Sequence, residues 1–76
     1  MSPKLPTFKA SEIIKLLEHN GFIKIGQKGS HIKMRSLDGT TIVIPSHSGK
    51  NLKTGLLLSI LNKAGIDISE LRKRNK

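Results

Sequence analysis

The sequence has no cysteine, no tryptophan and no tyrosine, and its only aromatic residues are Phe8 and Phe22. Without cysteine there are no disulfide staples and no thiolate metal sites. Two rings cannot build a platform that stacks successive unpaired bases, which needs several exposed aromatics. Acids are scarce as well: Glu12, Glu18, Asp38, Asp67 and Glu70 are all of them. No apolar run approaches the roughly 18 residues that mark a membrane-spanning helix. Met1 to Pro6 carries no apolar core of the secretory kind, so the cytoplasm is the expected compartment.

What the chain does have is positive charge. Fourteen Lys and Arg against five acids give +9 and a pI near 10.4. On 76 residues such a charge is self-repelling, and a polyanionic partner accounts for its being tolerated. Nucleic acid is the first expectation and an anionic membrane surface the second. The length accommodates one domain and not two. Ten Leu, ten Ile, one Val and two Phe make up about 30% of the chain, enough for a small packed core.

Residues 1–8 hold two of the three prolines and read as a flexible arm. Ile13, Ile14, Leu16 and Leu17 then fall at helical spacing, with Ser11 or Thr7 as the expected cap. Asn20-Gly21-Phe22 is a stop: Gly21 suits a left-handed position and Phe22 can fold back on Leu17. The pattern next switches to period two. Phe22 to Ile25 reads as a strand ending at Gly26, and Gln27-Lys28-Gly29 as a turn. Ser30 to Ser36 alternates, with His31, Lys33 and Arg35 on one face and Ile32 and Met34 on the other. Asp38-Gly39 signals a hairpin, and Thr40 to Ile44 is a third strand stopped by Pro45. After a polar loop, a second helix is expected from Lys53 to Ala64, with Leu57, Ile60, Leu61 and Ala64 inward and Gly55 in its first turn. Ala64-Gly65-Ile66 repeats the first stop, with Ile66 reaching Leu61. Asp67 to Glu70 has capping-box spacing for a short last helix, and 72–76 is a basic tail.

The predicted order is α-β-β-β-α, an α+β domain over residues 9–71. Its three-stranded antiparallel sheet carries both helices on one face. The other sheet face is open, and on its middle strand stand a histidine and two cations.

Three histidines are available: His19, His31 and His47. His19 belongs near a helix end, where it complements the dipole. His31 lies among Lys28, Ser30, Lys33 and Arg35, with no acid between Glu18 and Asp38. Those cations favour a neutral, basic imidazole at pH 7, which suits it as general base toward a ribose 2′-hydroxyl; the plain alternative is one more polar residue on an exposed strand. His47, just after the third strand, is a candidate for the acid half of a two-histidine cleavage, or caps the loop. Ser30 precedes His31 directly, so the two point to opposite faces and make no dyad. No two carboxylates have acid–base spacing, and none has ligand spacing with a histidine, which speaks against a two-metal nuclease. Gly26 to His31 is not a P-loop: it lacks the Gly-Lys-Ser/Thr ending and leads into a strand, so no cofactor is read from it. Its amides can still cradle one phosphate. The expected phosphate-binding set is Lys28, Gly29, Ser30, Lys33, Arg35, Lys50 and Lys53, the last two at the approach to the second helix.

Several segments together resemble the HicA (YcfA-like) toxin family. They are Asn20-Gly21-Phe22, Gln27-Lys28-Gly29-Ser30-His31, Ile42-Val43-Ile44-Pro45-Ser46-His47, Lys53-Thr54-Gly55-Leu56-Leu57-Leu58-Ser59-Ile60-Leu61 and Ala64-Gly65-Ile66. The likeness covers residues 9 to 71, and the pairing of Gly-Ser-His with Pro-x-His is its specific part. It implies a fold like a double-stranded-RNA-binding domain and a ribosome-independent mRNA interferase. It also implies a HicB antitoxin that covers the active face, the chain being a monomer or antitoxin-bound. It makes His31 the catalytic residue, matches Gly29 to the family glycine before it, and matches His47 to the histidine of Pro-x-His. The rival reading is a non-catalytic module that docks on double-stranded RNA through shape and phosphates. A membrane-surface peptide fits least, since the first helix carries two acids and one lysine.

Overall fold

The computed structural model describes residues 8–46, 51–67 and 69–70. Their elements are α1 (Ala10–His19), β1 (Phe22–Lys28), β2 (His31–Ser36), β3 (Thr41–Pro45) and α2 (Thr54–Ala64). The sheet is antiparallel in the order β1-β2-β3. This is the expected α-β-β-β-α arrangement. One core joins the inner face of the sheet to both helices: Phe22, Ile32, Met34, Ile42 and Ile44 meet Ile13, Leu16 and Leu17 of α1 and Leu57, Ile60 and Leu61 of α2. None of the buried residues among those described is polar or charged.

The helix ends follow the chemistry of their sequences. Lys9, not Ser11, is the N-cap of α1, and Ser11 lies inside the helix. The Lys9 side chain has no acceptor to offer, so the cap is half a capping box, with the Lys9 N–H donating to Glu12 Oε1 at 2.9 Å. Thr7, the other expected cap, is outside the described residues. At the far end Gly21 has φ +88°, and its N–H donates to the Glu18 carbonyl. The end of α2 is the more complete stop: Gly65 has φ +72°, its N–H bonds Asn62, and the Ile66 N–H reaches the Leu61 carbonyl at 2.9 Å. Ile66 and Leu61 are both buried, which is the apolar contact that accompanies such a motif. Asp67 then begins the last turn, accepting from the Ser69 N–H at 3.1 Å.

β2, β3 and α2 each start one residue later than expected, and β3 takes in Pro45; two boundaries differ in kind. Phe8, expected in the arm, is buried in the core. Its carbonyl accepts the Leu52 N–H at 2.8 Å, and Lys9 bridges Asn51, so the segment before α1 is tied to the segment before α2. β1 does not stop at Gly26 but runs on to Lys28, past a bulge between Lys24 and Gly26. The β1–β2 turn is therefore Gly29-Ser30 alone, with Lys28 opposite His31. Gly29 has φ +59° and Ser30 does not share that sign, the pattern of a type II′ hairpin turn, in which glycine takes the first place. The β2–β3 connection is a three-residue loop, Leu37-Asp38-Gly39, closed by the Ser36 N–H bonding the Thr40 carbonyl.

Candidate active site

Directly opposed residues of a sheet share a face, so the register fixes what stands on the open side. His31 lies between Lys28 and Pro45, Lys33 between Gly26 and Val43, and Arg35 between Ile23 and Thr41. His31, Lys33 and Arg35 are exposed, while Ile32 and Met34 between them are buried. The alternation expected of the middle strand is therefore present, at roughly 7 Å between successive same-face residues. Arg35 is steadied by its Nε donating to Thr41 Oγ1 at 3.3 Å.

His31 is the first residue of β2, directly after the turn. That turn is braced from β1: Lys24 Nζ donates to Gln27 Oε1 at 2.7 Å, and Gln27 Nε2 donates to the Gly29 carbonyl at 3.1 Å. From the other side, the Ser46 N–H donates to the Ser30 carbonyl. The backbone that sets the start of β2 is thus held by side chains of one neighbour and by the chain leaving the other.

A depression of about 440 Å³ lies beside the histidine, lined by Ile25, Gly26, Gln27, Lys28, His31, Lys33 and Val43. Ile25, Gly26, Gln27 and Val43 were not among the expected site residues. The available signal was the lone glycine inside a strand pattern, which marks a bulge. Because Ile25 is the extra residue of that bulge, two residues of β1 oppose Lys33 instead of one.

The expected site residues do not all gather here. Lys28, His31 and Lys33 line the depression, Gly29 and Ser30 form the adjoining turn, and Arg35 is one step further along β2. Lys53 is the exposed N-cap residue of α2 and does not line the depression. His47 and Lys50 lie outside the described residues. Asp38, in the β2–β3 loop, is engaged locally: the Ser36 hydroxyl and the Thr40 N–H donate to it and hold its carboxyl below the ordinary aspartate range.

A small α+β domain with two helices behind a three-stranded sheet, and a histidine in a cationic row on the bare side, defines the class. The chain belongs to the HicA toxin family: the family model described as HicA toxin of bacterial toxin-antitoxin matches residues 10–66, about three-quarters of the chain. It is the toxin of a toxin–antitoxin system, and its partner is an antitoxin of the HicB type. No curated protein matches it. No helix among the described residues is long and apolar enough to cross a membrane.

Proposed function

We propose that this toxin is an endoribonuclease that cuts mRNA without a metal, with His31 as general base. The observation that carries this reading is the placement of His31 beside Lys28 and Lys33 on the open sheet face, at the edge of a depression. An imidazole nitrogen there accepts the proton of a ribose 2′-hydroxyl. The freed oxygen attacks the adjacent phosphorus, and Lys28 and Lys33 offset the charge gathered on the phosphate oxygens. The bond to the 5′-oxygen breaks, leaving a 2′,3′-cyclic phosphate and, after that oxygen takes up a proton, a 5′-hydroxyl. His47 is the candidate donor of that proton, and water is the other. Lys28, Gly29, Ser30, Lys33, Arg35, Lys50 and Lys53 form the RNA-binding set.

The test is RNA cleavage in EDTA by the wild type beside His31→Ala and His47→Ala. The expected result is cleavage by the wild type and a loss of at least about 10²-fold for His31→Ala. Because His31 is exposed, its truncation should leave stability within roughly 0.5 kcal/mol, checked by thermal melting. His31→Ala protein cutting at the wild-type rate overturns the assignment. A His47→Ala loss equal to that of His31→Ala assigns both proton transfers to the two histidines.

A further inference from the structure

We propose that the depression beside His31 is a subsite for one unpaired nucleobase of the RNA strand, a proposal that rests on the ribonuclease reading above. Three features of β1 and β3 create it. The bulge adds Ile25 to the strand at the level of Lys33. Gly26, directly opposite Lys33, contributes no side chain, so the floor is bare backbone. A Cβ built on Gly26 would meet nothing within 4 Å, which measures how empty that floor is. Val43 closes the far side from β3 and, like Ile25, keeps about two-fifths of its surface exposed (45% and 40%).

The walls are thus aliphatic, while Lys28, Lys33 and His31 stand on the rim. That combination matches a flat, uncharged heterocycle tethered to an anionic phosphate. The base covers Ile25 and Val43, and its phosphate lies against the lysines, next to the imidazole. The volume, about 440 Å³, falls at the lower end of small-ligand sites. Both aromatic residues, Phe8 and Phe22, are buried in the core, so no ring is offered for successive stacking. One base in one aliphatic slot is what this face can take. A base inside an A-form duplex is paired and stacked and cannot enter. The preferred substrate is therefore a single-stranded or looped segment, in contrast to the duplex that the fold's likeness to double-stranded-RNA-binding domains suggests.

The experiment fills the slot. Gly26→Val adds a β-branched side chain to a strand position whose φ is ordinary and whose surroundings are open, so the fold should tolerate it. Binding is measured with a 2′-O-methyl oligonucleotide, which cannot be cut, as a single strand and annealed to its complement. Gly26→Val is expected to weaken single-strand binding about tenfold, the effect of withholding roughly 60 Å² of apolar contact. Duplex binding should stay within about twofold, and the salt dependence should not change, because every cation remains. Val43→Thr, which keeps the shape and makes the wall polar, should move single-strand affinity the same way by a smaller factor. Unchanged single-strand binding by Gly26→Val, with an intact melting profile, overturns the subsite. So does an equal loss for single strand and duplex. So does loss of antitoxin binding with RNA binding intact, which would give the slot to a protein side chain. The two readings fail separately. A wild type that binds the single strand but cuts no RNA removes the nuclease and leaves the subsite. RNA cleavage with a KM unaltered by Gly26→Val removes the subsite alone.

Discussion

At the scale of single residues, the open face divides labour by chemical type. On the proposed reading the lysines and Arg35 attract phosphate, and that effect is read through salt. Each phosphate contact releases counterions, so affinity falls linearly on a log–log plot against salt. Lys33→Ala and Arg35→Ala should each flatten that slope by about one, measured by titrating labelled RNA at several salt concentrations. The two differ in how they are held. Arg35 is bonded to Thr41 at 3.3 Å, while no hydrogen bond from Lys33 is seen among the described residues. A slope unaffected by both substitutions would mean that the charge row serves something other than phosphate.

At the scale of elements, the turns are held by local side-chain hydrogen bonds. The β2–β3 loop is held by Asp38, which takes the Ser36 hydroxyl and the Thr40 N–H, while the Gly39 N–H bonds the Ser36 carbonyl at 3.0 Å. Those donors favour the carboxylate, so the folded pKa of Asp38 lies below the unfolded one. Its contribution to stability is therefore fully present above the ordinary aspartate value, near 4, and is lost as pH falls through the lowered folded value. Asp38→Asn should lower the melting temperature at neutral pH and shrink the further drop on acidification, with the two proteins converging once the pH falls below the lowered folded value. Melting curves of both proteins across that range are the check; parallel curves would show that another group governs the acid limb.

The β1–β2 end of the sheet is organised differently. Its two-residue turn depends on Gly29 and on the bracing by Lys24 and Gln27. His31 is the first residue after it, so the histidine's position is inherited from backbone that side chains of β1 hold in place. The bulge further back along β1 supplies the empty floor.

At the scale of the whole molecule, the two sides of the sheet differ in kind. The helices occupy one side of the sheet with an apolar core of some fifteen residues, leaving the open side to cations and to Ile23, Ile25 and Val43. Ile23 is 64% exposed, an apolar surface beside Arg35 that solvent alone does not favour. An antitoxin that supplies acids and apolar side chains to this face would satisfy both features, since like-signed partners repel. RNA and antitoxin should then compete. Fluorescence anisotropy of a bound 2′-O-methyl RNA should fall as antitoxin is added, and Arg35→Glu should weaken both complexes. Simultaneous binding of RNA and antitoxin at full affinity would place the antitoxin on another surface.

Much of this was legible locally. The switch from helical to period-two spacing gives the order of elements, and alternation alone puts His31, Lys33 and Arg35 together, because successive side chains of a strand point to opposite faces. The stop at Gly65 was equally local, since a left-handed glycine followed by an apolar residue needs only the turn before it. The contacts that cross the chain were decided only by tertiary structure. Phe8 joins the core because its carbonyl is bonded by Leu52, forty-four residues on. Lys53, grouped with the phosphate binders by charge, stands at the N-cap position of α2 and does not line the depression. The slot itself depends on a bulge, whose place is set by how β1 pairs with β2 and not by any pattern within β1. One extra residue there changes which side chains oppose Lys33. Periodicity is a property of neighbours along the chain and so is written in it; register is a property of two strands, and appears only when they meet.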